Sequence, residues 1–168
     1  MPDLKRHIVE IPDFPRPGIL FRDIMPLLRG HFAATLDVME GLFSQGEWRE
    51  ADVLAGIESR GFVLAGGLAA RHGKGFVAIR KQGKLPPPVV AAAYALEYGS
   101  GVLEMQRGSG RVLIVDDVLA TGGTMQASAE LCGAAGYEVA GLAVLVDLRL
   151  AGDFVWNEMR LRSAIRYD

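Results

Sequence analysis

Apolar positions change their period several times along the chain. Between residues 32 and 43 they recur at three- and four-residue intervals, as Phe32, Leu36, Met39 and Phe43, which is the spacing of one helical face. That stripe predicts an amphipathic helix with its apolar side in the core. Val53–Ile57 is instead a continuous apolar run of strand length, interrupted by Glu58-Ser59-Arg60-Gly61 and followed by an Ala- and Leu-rich stretch over residues 62–70. The order is strand, loop, helix. Residues 75–80 predict a second strand, and three successive prolines within residues 82–88 predict a protruding loop, since Pro cannot join a central ladder. Residues 91–96 and 102–106 are expected to pair as a small flap beside the main sheet. Residues 111–115 and 139–146 read as buried strands flanking a helix over 124–134, and 161–167 as a last strand.

Strands alternating with helices predict an α/β fold: an open, mostly parallel twisted sheet flanked by helices, with a small flap or hood and an N-terminal arm. The stretch before Pro26 is Pro-rich and aperiodic, with a short strand expected at 8–11, so roughly residues 1–30 form that arm. Roughly residues 81–110 form a flexible loop and flap. The chain's 168 residues fit a single domain. In open parallel sheets ligands bind beyond the carboxyl ends of the strands, and three loops leave such ends: 58–61, 80–88 and 116–123.

Charge sharpens this picture. The net charge is −2, yet Arg60, Arg71, Lys74, Arg80, Lys81 and Lys84 follow one another between residues 60 and 96 with no acid among them, so that segment carries +6 and the rest −8. Arg71 and Lys74, near a helix end, read as solvated surface. The cluster from Arg80 to Lys84 reads as a local anion site in an acidic protein, not as a nucleic-acid surface.

The chemistry concentrates in Val112-Leu113-Ile114-Val115-Asp116-Asp117-Val118-Leu119-Ala120-Thr121-Gly122-Gly123-Thr124. An apolar strand ends in two carboxylates, and a Thr-Gly-Gly-Thr turn opens a helix. Glycines let the backbone curl, and the unpaired N–H groups of a helix start make a phosphate cradle. The hydroxyls of Thr121 and Thr124 can donate to the same anion, while Asp116 and Asp117 accept from sugar hydroxyls, so the motif predicts a ribose phosphate. A helix N-terminus supplies at most ~2 kcal/mol, against about 8 kcal/mol for micromolar binding. Arg60, Lys81 and Lys84 are therefore expected to hold a second anionic group, with a divalent ion neutralising the remainder. Gly73-Lys74 lacks the flanking residues of a P-loop, and no Gly-x-Gly-x-x-Gly follows a predicted strand.

Other residues point to less. The single Cys132 excludes an internal disulfide framework, suits a reducing compartment, and reads as a buried filler. His7, His31 and His72 lack metal-ligand spacing, and Trp48 and Trp156 are expected to be partly buried. The N-terminus has no secretory h-region and no apolar run spans a bilayer, so a cytoplasmic protein with no membrane partner is expected.

The Asp116–Thr124 stretch resembles the motif with which phosphoribosyltransferases bind 5-phosphoribosyl 1-diphosphate (PRPP). Asp13-Phe14-Pro15-Arg16-Pro17-Gly18-Ile19-Leu20-Phe21-Arg22-Asp23-Ile24 resembles the N-terminal segment of the adenine-specific family. Ser59-Arg60-Gly61-Phe62, Arg80-Lys81-x-Gly83-Lys84-Leu85-Pro86 and Leu96-Glu97-Tyr98-Gly99 follow at that family's spacing. The resemblance runs from about residue 11 to 167. It implies transfer of phosphoribosyl from PRPP to N9 of adenine, giving AMP and pyrophosphate, with Mg²⁺ held mainly by PRPP and not by a dedicated protein cage. It assigns the 5-phosphate to Ala120, Thr121, Gly122, Gly123 and Thr124, and the ribose to Asp116 and Asp117. Pyrophosphate goes to Ser59, Arg60, Lys81 and Lys84, adenine to Leu20, Phe21 and Arg22, and the catalytic role to Glu97 on a flap with Tyr98. It also implies a homodimer. Glu58, where the family commonly has Asp, Pro87, where it has Gly, and a short connection at 107–110 depart from its pattern. A non-catalytic PRPP or nucleotide sensor on the same fold, or an enzyme for guanine, hypoxanthine or xanthine, are the alternatives.

Overall fold

The computed structural model describes residues 3–96, 99–150 and 152–167. A short 3-10 turn (Leu4–His7) leads into the antiparallel hairpin β1 (Val9–Pro12) and β2 (Leu20–Asp23), followed by helices α1 (Met25–Glu40) and α2 (Gln45–Glu50). Then come β3 (Val53–Ile57), α3 (Arg60–His72), β4 (Gly75–Lys81), β5 (Val90–Leu96), β6 (Gly99–Met105), β7 (Gly110–Leu119), α4 (Gly123–Ala135) and β8 (Tyr137–Asp147). The small hairpin β9 (Val155–Trp156) and β10 (Met159–Arg160) precedes the final strand β11 (Arg162–Arg166).

Among the described residues one seven-stranded sheet has the order β11-β8-β7-β3-β4-β6-β5. Its first five strands are parallel, and β6 and β5 extend the edge of β4 as an antiparallel hairpin. The expected open α/β sheet is therefore present, with the flap built onto it and not beside it. Parallel strands are buried on both faces, and the pleat divides the apolar runs accordingly. Leu54, Leu113, Val115, Ala143 and Leu145 pack with α1 and α3 on one face, while Ala55, Ile57, Val112, Ile114, Leu142 and Val144 pack with α4 on the other.

Several elements exceed their expected bounds. α1 begins at Met25, not near residue 32, because Pro26 sits in the first turn, where its missing N–H has no helical partner to lose, and Leu27 and Leu28 are buried. A non-helical residue, His31, joins the two helical pieces. β7 continues through Asp116 and Asp117 to Leu119: β3 stops pairing at Val115, but β8 accompanies β7 to the end. α2 was unexpected, yet the Ser44…Glu47 spacing signals it, and both reciprocal hydrogen bonds of a capping box form there. Trp48 is 2% exposed instead of partly buried, stacked at 3.9 Å on His72, with its indole N–H donating to the Glu40 carbonyl. Arg71 is not bare surface either. Its guanidinium reaches Asp37 at 2.6 Å, Glu40 and the Ala33 carbonyl, tying α3 to α1.

Glu47 links α2 to the far edge of the sheet through Arg162 on β11, at 2.7 Å. The hydrogen bond from Arg162 outweighs burial and, with Ser44, lowers the Glu47 carboxyl from 4.5 to about 2. A depressed folded-state pKa gives stability that is present above pH 4.5 and lost as the pH falls through about 2. Glu47→Gln should lower stability at pH 7 by about 1 kcal/mol, the scale for a partly exposed charge-assisted pair. In urea titrations at stepped pH, the difference from the unsubstituted protein should vanish as the solution is acidified towards pH 2.

Candidate active site

The central strand β3 pairs in parallel with β7 on one side and β4 on the other. The loops leaving the carboxyl ends of these neighbours, 58–59, 82–89 and 120–122, therefore emerge side by side. The chain leaves β3 towards β4 and later returns across it to β7 and β8, so the crevice lies where the direction of winding reverses.

The loop between β7 and α4 encloses a pocket of about 190 Å³ lined by Asp116, residues 118–122, Thr124 and Met125. Gly122 caps α4 in the left-handed region, at φ +87°, a conformation that would strain a residue carrying a Cβ and that Gly adopts freely. It also brings no capping side chain, so the first amides of α4 stay available to an anion. Ala120 and Thr121 are exposed, and Gly123 and Thr124 are half-buried. β5 passes over the same end of α4, where Ala93 and Tyr94 face Gly123 and Gln126 across a second pocket of about 220 Å³.

Asp116, which lines the first of these pockets, and Asp117 beside it are each 8% exposed. Asp116 Oδ1 accepts the Asp117 amide at 2.8 Å. Burial, and then the charge of Asp117, push the Asp116 carboxyl well above the ordinary carboxylate range. Arg60 Nε lies 2.5 Å from Asp117 Oδ2, joining the β3–α3 loop to the β7–α4 loop. The guanidinium thus covers Asp117 Oδ2, which is buried beneath it. α3 comes this close only because residue 61 is Gly: a Cβ there would stand 2.8 Å from Asp116 Oδ1 and 3.0 Å from the Val115 carbonyl.

On the other side, Glu58 binds the β4 turn. Its carboxylate meets Lys84 Nζ at 2.6 Å, Arg80 Nε at 3.3 Å and the Lys81 amide at 3.0 Å. Burial pushes the Glu58 carboxyl up, but these three bonds together overcome it and leave it at about 2. Glu104 of β6 holds the same turn by its backbone, accepting the amides of Lys84 and Leu85 at 2.7 and 2.8 Å. The Glu58–Ser59 peptide is cis, and the Ser59 hydroxyl makes no cap on α3.

A phosphoribosyl transferase domain model matches residues 33–159, well over half of the chain. The adenine phosphoribosyltransferase of Hydrogenovibrio crunogenus is 54% identical, over 98% of this chain and 96% of its own. The chain belongs to the adenine phosphoribosyltransferase family. The crystal structure of adenine phosphoribosyltransferase from Rhodothermus marinus matches this phosphoribosyltransferase with a TM-score of 0.88 at 40% identity, covering 98% of this chain and 96% of that one. The APRTase from Giardia lamblia complexed with 9-deazaadenine matches with a TM-score of 0.82 at 35% identity, covering 99% and 97%.

Within this phosphoribosyltransferase, Ser59, Arg60, Lys81, Lys84 and residues 116–124 thus stand on three adjacent loops. Phe21 joins them: its ring lies 5.5 Å from the Arg60 guanidinium and edge-on to Phe14 at 5.1 Å. Leu20 is exposed beside it. Arg22, the next residue along β2, points the other way, to Glu10 at 3.3 Å and over the Tyr167 ring at 4.0 Å. Glu97 and Tyr98 lie outside the described residues. Glu58 and Glu104 were not singled out as site residues; the one signal for Glu58 was its place beside Ser59 and Arg60 in a strand-end loop, and Glu104 gave none. Cys132 is fully buried in α4, its thiol pushed up to about 12 by burial.

The close approach at Gly61 makes a direct prediction. Gly61→Ala should destabilise the protein by about 1–3 kcal/mol, since the new methyl meets backbone and a held carboxylate. Urea unfolding measures the loss, and a change below 0.5 kcal/mol, the ordinary surface range, would show that α3 can retreat freely.

Proposed function

We propose that this phosphoribosyltransferase catalyses adenine + PRPP → AMP + pyrophosphate, a step of AMP formation by purine salvage. The observation that carries the reading is the order of three sites across adjacent strands. Uncapped amides at the start of α4 come first, then the paired acids Asp116 and Asp117 at the end of β7, then the cationic turn after β4. That order fits phosphate, ribose hydroxyls and diphosphate, the three parts of PRPP. Ala120, Thr121, Gly122, Gly123 and Thr124 hold the 5-phosphate, and Asp116 and Asp117 the ribose hydroxyls. Burial and the neighbouring Asp117 disfavour the charged form of Asp116.

Ser59, Arg60, Lys81 and Lys84 bind the diphosphate. Mg²⁺ would be held mainly by PRPP and would supply positive charge to the leaving group, in keeping with that ion's preference for phosphate and water over protein cages. Leu20 and Phe21 frame the adenine with the main chain of Arg22, whose side chain turns away to Glu10 and Tyr167. One edge of β2 pairs with β1, which leaves the other edge's N–H and C=O groups for a base, with Phe21 to pack against it. In the reaction the ribose C1–O bond to diphosphate breaks, the N9–C1 bond forms, and the N9 proton is removed. Positive charge grows on the sugar and negative charge on the departing pyrophosphate, so the chain's contribution is positioning and fixed charge. Glu97 manages the adenine proton, and Tyr98 closes with it over the substrates to exclude water. The protein acts as a homodimer in the cytoplasm.

Incubation with Mg²⁺ and PRPP, offering each purine in turn and following pyrophosphate release, tests the reading. AMP formed from adenine alone is the expected outcome, with activity lost on chelating the metal. Turnover with guanine, hypoxanthine or xanthine instead would reassign the base, and tight PRPP binding without turnover would make the protein a sensor. Glu97→Gln should reduce kcat by at least about a hundredfold, the usual contribution of a general acid or base, with little change in PRPP affinity by calorimetry. Unchanged turnover would remove Glu97 from the reaction.

A further inference from the structure

Two of the cations assigned to the diphosphate, Arg60 and Lys84, already have anionic partners in the free protein. On one side Arg60 faces Asp117, and on the other Glu58 takes both Lys84 and Arg80. The second arrangement is the more telling. The Glu58 side chain is 11% exposed and sits behind its partners, whereas the side chains of Lys84 and Arg80 are 47% and 32% exposed. The cations thus present themselves to solvent while the acid that holds them does not. Glu58 also lies next to Ser59 and Arg60, in the loop that approaches the same ligand.

Two carboxylates hold this turn in different ways. Glu104, 4% exposed, accepts main-chain amides of Lys84 and Leu85 and so fixes the backbone shape. Glu58 binds side-chain charges, which a more highly charged anion can take over. An ion pair with a half-exposed Lys is worth only ~0.2–1 kcal/mol, and a diphosphate brings several negative charges to the same nitrogen.

We propose that Glu58 is an exchangeable counter-ion of the diphosphate pocket: it holds Lys84 and Arg80 in place while the pocket is free, releases them to the incoming diphosphate, and recaptures them as pyrophosphate departs. Glu58 is then a positioning residue, acting through Lys84 and touching no reacting atom. It keeps the turn ordered before binding and limits how tightly the product is held. This rests on the assignment of Lys84 to the diphosphate.

The test is calorimetric titration of magnesium pyrophosphate into five proteins: unsubstituted, Glu58→Gln, Glu58→Asp, Lys84→Met and Glu58→Gln/Lys84→Met, each checked for folding by its thermal transition. Glu58→Gln should bind pyrophosphate roughly 1.5- to fivefold more tightly, the scale of losing a competing partly exposed ion pair. Its KM for PRPP should fall, and kcat should fall with it as product release slows. Glu58→Asp, which withdraws the carboxylate by one methylene, should shift affinity the same way by less and covers the case in which Glu58→Gln does not fold. In the Lys84→Met background the gain should drop to less than half. Weaker or unchanged binding in the Glu58 variants would overturn the proposal, as would an equal gain without Lys84, since mere long-range repulsion behaves so. Pyrophosphate affinity unaltered by Lys84→Met alone would instead refute the placement of the diphosphate at that turn.

Discussion

The two-sided parallel pairing of β3 is the constraint on which the rest depends. Parallel neighbours end at the same side of a sheet, so flanking β3 with β4 and β7 delivers three loops, distant in sequence, to one crevice. Hydrogen-bond register sets their relative heights. β3 stops pairing with β7 at Val115, one residue before Asp116, while β8 carries β7 four residues further. The two acids are thereby held by a strand and still open to the crevice on the side that β3 has vacated.

Close packing at the crossing of α3 over this strand end does the remaining positioning. Gly61 lets α3 approach the Asp116 carboxylate, and the same turn of α3 starts at Arg60, which meets Asp117 at 2.5 Å. The hood arrives at the same place, with Phe21 beside Arg60. Arg60 therefore lies between the hood and the end of β7. Its charge is compensated by Asp117, as those of Lys84 and Arg80 are by Glu58. Basic side chains gathered at one crevice are in this way kept from destabilising the fold by uncompensated positive charge.

Much of this was legible in residue order. The apolar runs at residues 53–57, 111–115 and 139–146 had the composition of strands buried on both faces, and they proved to be β3 and the inner parts of β7 and β8. The strand end, glycine turn and uncapped helix start at residues 116–124 were legible because their determinants are local, within nine residues. Boundaries were less so. Residues up to about 30 read as an arm, yet burial of Leu27 and Leu28 makes the segment from Met25 helical. Arg71 and Trp48 looked like surface or half-surface residues, and their partners, Asp37, Glu40 and His72, stand on other elements.

The sequence by itself determined the sheet's strands, the anion cradle and the acid-free cationic segment, because each is encoded by neighbours along the chain. Only the tertiary structure decided which cations face the crevice and what holds them. Arg71 and Lys74 leave it, bound to Asp37 and to the Arg49 carbonyl, while Lys84 and Arg80 stay, held by Glu58. The physical reason is that an ion pair depends on a separation of a few ångströms in space. The residues that set it here lie 22 to 34 positions apart in the chain, and the course of the backbone between them is fixed by strand pairing rather than by local sequence.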